Sequence, residues 1–258
     1  MGNRFRRLFV ALALAWPGSQ CHAVLGPTPV DTNWRVIDSP HFSFNVRPGS
    51  FAEQNIARIG EVLEDQYDTT LRVLDIRYSG RVSLFLYNSA ADGDMESERA
   101  GKAYPDTETV RATSGPPLDS NLFLLLSHES NHVIQQNALG SPGTYFLGEG
   151  LPSAVLSERY YPNGTTFLYG WTASHLSQIP ALSLLVDDSK WNSYDQQVAY
   201  NASASFLAYL LELRGPQLLK QLQPASSVSF TRQFQATYGR SLDEADRDWR
   251  AFCASRPR

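Results

Sequence analysis

Near residue 115 the spacing of apolar residues changes, and that change sets the fold class. Before it they alternate: Phe42, Phe44 and Val46 within His41–Val46, and Val82, Leu84 and Leu86 within Arg81–Tyr87. A period of two places such residues on one face of a strand. From Asp119 onward they recur in steps of three and four, the spacing of one helix face. Strands first and helices afterwards predict an α+β protein. The expected architecture is a small N-terminal mixed sheet with one helix, strand-rich over 34–115, followed by a mainly helical half over 116–258. The 258 residues suit one domain or two closely packed units. The two halves are expected to pack as one.

Individual elements follow from the same pattern. Trp34–Ile37 reads as a strand beside His41–Val46. Ser50-Phe51-Ala52-Glu53 has the form of a capping box, opening a helix whose apolar face is Ile56, Ile59, Leu63, Tyr67, Leu71 and Leu74. The polar, Gly-containing stretch Asn88–Asp106 reads as a surface loop, and Thr107–Thr113 as a further strand. Asp119 or Ser120 caps a helix running to about Gln136, ended by Gly140-Ser141-Pro142-Gly143. Helices are expected near Leu151–Tyr160, Leu168–Ser177 and Tyr194–Leu213, the last closed by Gly215. Gly239 ends another. Ser241-Leu242-Asp243-Glu244 then caps a final helix with Leu242, Ala245, Trp249 and Phe252 as its buried stripe.

The first residues carry a different message. Arg4, Arg6 and Arg7 precede an apolar stretch, Leu8–Trp16, followed by Pro17, Gly18 and small or polar residues. This is the layout of a secretory signal, with a greasy core about half the length a bilayer-spanning helix needs. Cleavage after Ala23 suits the small-residue rule. The expectation is a signal peptide over 1–23 and an exported domain over 24–258, periplasmic or secreted. A lipid anchor enters only if Cys21 is acylated, and Gly18 stands where such signals carry Leu or Val. No later segment has 18 uninterrupted apolar residues, so no transmembrane segment is expected in the mature chain. Net charge is −4, with no basic run beyond the extreme N-terminus, which argues against a nucleic-acid surface. The two cysteines, Cys21 and Cys253, are too few for a disulfide scaffold, and Cys253 becomes a lone thiol once the signal leaves.

The chemistry concentrates in His128-Glu129-Ser130-Asn131-His132, inside a predicted helix. Residues four apart share a helix face, so both imidazoles can converge on one ion. Glu129, turned about 100° away, reaches a metal-bound water without binding the metal. Such a water loses its proton near neutrality, and the carboxylate can pass that proton to a leaving amine. Two histidines and a glutamate are otherwise a poor way to finish a buried helix, because buried polar groups need partners. Glu149 in Tyr145-Phe146-Leu147-Gly148-Glu149-Gly150-Leu151 is the candidate third ligand, since the Gly-Ser-Pro-Gly turn brings the following helix back against the first. Taken alone, Glu149 is an ordinary acid at a helix start. Two imidazoles and one carboxylate with an open fourth position make a catalytic zinc arrangement.

At these residues the chain resembles the peptidase MA-like gluzincins, exported or membrane-linked zinc metallopeptidases of thermolysin-like fold. Their HExxH motif is followed by a segment of the form W-L-x-E-G-x-A. Here these read His128–His132 and Phe146–Ser153. The opening stretch Asp38-Ser39-Pro40-His41-Phe42, the helix from Ser50 and the strand Arg81–Tyr87 also look like that family's N-terminal half. Tyr200-Asn201-Ala202-Ser203-Ala204-Ser205-Phe206-Leu207 and Tyr238-Gly239-Arg240-Ser241-Leu242 resemble its C-terminal landmarks.

The resemblance implies a zincin-like fold with one zinc per chain held by His128, His132 and Glu149, and with Glu129 as general base. It implies a peptide or protein substrate that pairs with Thr107–Thr113 as a rim strand, and an oxyanion donor, for which Tyr200 stands first and His175 second. Core packing for Tyr200 and a surface position for His175 are the plain alternatives. Two departures stand out. Ser153 occupies the place where the family carries an acid that orients a ligand histidine, and Pro152 suggests that the Glu149 helix starts late or kinks. Ser130 and Asn131 are also more polar than the usual filler. The expected function is therefore an exported zinc metallopeptidase. The alternatives are a weak or inactive zinc-holding relative that serves as a binding or assembly module in the cell envelope, and a helical domain without metal.

Overall fold

The computed structural model describes residues 33–93, 100–156 and 164–256. The signal-peptide reading of 1–23, with Cys21, lies outside the described residues. So does the end of the predicted helix Leu151–Tyr160.

The fold is α+β, as the change of period implies. Strands β1 (Arg35–Asp38), β2 (Phe42–Val46), β3 (Val82–Tyr87), β4 (Gly101–Tyr104) and β5 (Thr109–Thr113) form one sheet in the order β1-β2-β3-β5-β4. β2, β3 and β5 run parallel, and β1 and β4 close the two edges antiparallel. Helices α1 (Phe51–Gln54) and α2 (Ile56–Leu74) make the crossover from β2 to β3. After the sheet come α3 (Ser120–Leu139), α4 (Tyr145–Ala154), α5 (Gly164–His175), α6 (Leu182–Leu185), α7 (Asp188–Trp191), α8 (Gln196–Arg214), α9 (Pro216–Leu222), α10 (Phe230–Tyr238) and α11 (Leu242–Ser255). Among the described residues no helix is long and apolar enough to cross a membrane.

Among the described residues two apolar cores result. In the first, the alternating residues of β2, β3 and β5 (Phe44, Leu84 and Val110 among them) meet Ile59, Leu63 and Tyr67 of α2 and Leu126, Val133 and Ile134 of α3. In the second, α8 is central: Phe206 and Leu207 pack with Phe146 and Leu151 of α4, Phe230 and Phe234 of α10, and Trp249 of α11. Helix α3 packs against α2, α4, β4 and β5, and so stands between the halves.

Several expectations change. The stretch Asn88–Asp106 is not wholly loop, because Gly101–Tyr104 forms β4. An edge strand is held by ladder hydrogen bonds on one side only and needs no apolar alternation, so the pattern was silent there. Thr109–Thr113 consequently has neighbours on both sides, and the rim position passes to β4.

The helix from Ser50 is interrupted at Asn55, whose side chain donates to the Phe51 carbonyl. Ser50 accepts from the Glu53 N–H as a cap should, but the Glu53 carboxylate returns to Gly49 N–H rather than to Ser50. Helix α4 starts at Tyr145 rather than near Leu151, because the Thr144 side chain caps it by accepting from Leu147 N–H. Pro152 therefore sits in its last turn, not its first. A proline there costs only the bond to the Gly148 carbonyl, and the helix ends two residues later. On α11 the buried stripe continues through fully buried Cys253, while Phe252 is half-buried.

Candidate metal centre

Helices α3 and α4 build the site, and their ends are fixed first. The Asp119 carboxylate caps α3 by accepting from Asn121 and Leu122 N–H. The return turn is pinned: Gly143 N–H donates to the Gln223 carbonyl, and a Cβ on Gly143 would fall 2.4 Å from the Ala225 oxygen. Helix α4 is in turn pressed onto α8 at Gly150, where a Cβ would lie 2.8 Å from the Ser203 Cβ and 2.9 Å from its backbone carbon. Helix α4 has little room to slide.

That packing brings three donor atoms together. His128 and His132, one turn apart on α3, place their Nε2 atoms 3.0 Å from each other. Glu149 Oε2 on α4 lies 3.3 Å from His128 Nε2 and 3.5 Å from His132 Nε2. A tetrahedral zinc ion with bonds of about 2.0–2.1 Å needs its donors about 3.4 Å apart, so the triangle has the size for such an ion. His128 is 4% and Glu149 7% exposed. Among the described residues no other set of three His, Cys, Asp or Glu side chains converges this way. The three are compatible with a metal site.

Charge is balanced tightly here. Burial pushes the Glu149 carboxyl up, but the His132 and His128 imidazoles outweigh it and hold the group below the ordinary carboxylate range. Burial pushes His132 down, and the carboxylates of Glu149 and Glu129 overcome it and raise it. Glu129 differs from Glu149. It is buried, and that desolvation exceeds the pull of His132 and His128, so its proton affinity is raised.

The Ser153 hydroxyl stands 3.0 Å from His128 Nδ1, on the far side of the ring from the triangle. As acceptor from Nδ1–H, it keeps the Nε2 lone pair aimed at the other donors. The position expected to hold an acid thus still carries a hydrogen-bond partner, though a neutral one.

Strand β4 passes over the motif. Gly101 lies against Glu129 so closely that a Cβ would sit 3.0 Å from Glu129 Cγ and from Leu125 Cδ1, and the Ala103 backbone bonds to the Glu129 carboxylate. Neither residue was foreseen. The glycine at the start of an otherwise ordinary tetrapeptide was the available signal.

Of the two candidate oxyanion donors, the structure brings one to the site. The Tyr200 ring on α8 is 6.2 Å from the His128 ring, centroid to centroid, and 5.8 Å from Trp191. His175 instead stacks on Trp171 at the end of α5, with Nδ1 bonded to the Trp171 carbonyl. Neither of these His175 contacts involves the triangle.

No protein-family model matches the chain, and no curated protein sequence matches it.

Proposed function

We propose that the chain is an exported zinc metallopeptidase of the gluzincin type. The supporting observation is the donor triangle of His128, His132 and Glu149, sized for a tetrahedral ion, with the buried carboxylate of Glu129 beside it. Held by those three side chains, a zinc ion supplies Lewis-acid polarisation of a carbonyl and acidifies a water at its open position.

The chain's own residues supply the rest. Glu129 holds its carboxylate in a dry site with raised proton affinity, suited to receive a proton from the attacking water and deliver it to the leaving nitrogen. Ser153 fixes the ring of His128. Edge strand β4 offers main-chain donors and acceptors directly over Glu129, which suits an extended peptide laid alongside. Tyr200, whose ring centroid lies 6.2 Å from that of His128, is the proposed donor to the developing oxyanion. Export rests on the N-terminal pattern of Arg4, Arg6, Arg7 and Leu8–Trp16.

One observation favours a second reading, a zinc-holding relative without turnover. His128 meets a neutral hydroxyl rather than a carboxylate, which makes it a weaker ligand.

Elemental analysis and peptide cleavage test both readings. The native chain should carry about one zinc, in keeping with three protein donors and one open position, and His128→Ala should carry none. Glu129→Gln should keep the zinc and lose hydrolysis of a quenched fluorescent peptide pool. Zinc in the native chain with no cleavage by it would leave the binding-module reading. No zinc, even after addition, would remove both.

A further inference from the structure

A buried chain of polar side chains joins three helices just behind the triangle. Gln66 of α2 donates through Nε2 to Thr70 Oγ1 at 2.9 Å and to the Val155 carbonyl at 3.0 Å. Thr70 Oγ1 donates to Asn131 Oδ1 at 2.7 Å, and Asn131 Nδ2 donates to the Pro152 carbonyl at 2.9 Å. Gln66, Thr70 and Asn131 are 1%, 0% and 0% exposed.

The two carbonyls explain why amides stand there. Pro152 lies in the last turn of α4 and Val155 is its C-cap, so neither oxygen has a helical N–H to accept. Left unpaired in a dry interior, each would cost on the order of 1–3 kcal/mol. Asn131 satisfies one from α3, and Gln66 the other from α2. The Asn131 amide cannot serve turned over, because Thr70 needs its oxygen and Pro152 its nitrogen. Thr70 thereby fixes the amide, and the amide fixes α4.

Sequence position turns this bond into a gauge. Asn131 directly precedes His132 and lies three residues after His128. Pro152 lies three residues after Glu149 and directly precedes Ser153, the partner of His128 Nδ1. The Asn131–Pro152 bond therefore spans the two helices one residue away from the groups that must match across them. A shift of α4 along α3 that moved Glu149 Oε2 or Ser153 Oγ would first break it.

Building on the zinc reading above, we infer that Asn131, held by Thr70, is a positioning residue that sets the separation of Glu149 from His128 and His132 and so tunes metal affinity. Its side-chain hydrogen bonds go to Thr70 and the Pro152 carbonyl rather than to a donor atom, so it acts through the place of α4.

Three variants of the full-length chain test this: Asn131→Asp, which cannot donate to the Pro152 carbonyl, Thr70→Val, which keeps the shape of Thr70 and removes its hydroxyl, and Thr70→Ser, which restores it. The readouts are zinc affinity by competition with a chromophoric chelator and the visible spectrum of the cobalt-substituted protein. Asn131→Asp should weaken zinc binding by about tenfold, the low end of what losing a direct partner of a ligand costs, because Asn131 reaches the donors only through α4. Thr70→Val should weaken it in the same direction, Thr70→Ser should recover the parent value, and the cobalt bands should move with affinity. A lower melting temperature with parental zinc affinity and cobalt spectrum would show that the chain only packs helices, and would overturn the inference. Thr70→Val carries the test if Asn131→Asp does not fold. A parent chain that binds no zinc would instead bring down the metal reading itself, and this inference with it.

Discussion

Gly101 and Glu129 are fitted so closely that the edge strand leaves no room for a side chain above the proposed base. A methyl group there lies at the limit of contact, while a branched residue must push either β4 or the carboxylate aside. Gly101→Val is expected to lower peptide hydrolysis at least about tenfold, since small misplacements of a reacting group are costly. Zinc content should stay at the parent level. Initial rates alongside elemental analysis check it, and full activity in that variant would mean that Glu129 is not the base or that β4 yields freely.

Ser153 faces His128 Nδ1 with a hydroxyl. Ser153→Ala removes the acceptor without disturbing the triangle directly, and should weaken zinc binding by about tenfold. Glu149→Ala, which removes a donor, should weaken it far more. A chelator titration ranks the two. If Glu149→Ala matched the parent, another residue would have to supply the third donor.

Gly150 is where α4 and α8 touch through their backbones. Gly150→Ala forces a Cβ into the Ser203 main chain, and overpacking of this kind costs about 1–3 kcal/mol. Thermal unfolding of the variant should shift down accordingly, and a melting point at or above the parent's would contradict the close approach.

Away from the site, Glu64 gathers the hydroxyl of Ser39, the backbone N–H of His41 at 2.9 Å and the His41 ring at 2.6 Å. Burial pushes this carboxyl up, but those hydrogen bonds and the charge of His41 prevail and hold it below the ordinary range. A carboxyl with a lowered folded-state value stabilises the fold above its unfolded value, about pH 4.3, and that contribution fades as pH falls through the folded value. Glu64→Gln should therefore be less stable than the parent near neutrality, with the gap closing in the acid. Denaturant melts at pH 7 and below pH 4 decide. A gap that widens with acid would reverse the sign.

The division between strands and helices was legible because burial enforces a period, and the triad was legible because one helical turn separates His128 from His132. The start of α4 was not, since a proline is best tolerated in a helix's first turn and Pro152 therefore marks a start eight residues beyond the Thr144 cap. Strand β4 escaped because half-exposed edge residues carry no alternation. Gln66 and Thr70 did leave a trace. They stand four apart beside the apolar face of α2, two polar side chains where a plain core helix has none, but their partners on α3 and α4 could not be found without the packing.

Cys253 is fully enclosed on α11, with its sulfur 3.8 Å from the Ser205 hydroxyl, and burial pushes the thiol up to about 11. At neutral pH the folded chain thus offers almost no thiolate, and no path by which an oxidant or a second chain can reach one. The vulnerable interval is synthesis, before the C-terminal helix docks. Once it has docked, the sulfur meets solvent only when that helix opens, so slow labelling by a thiol reagent under native conditions would time the opening of the C-terminal helix.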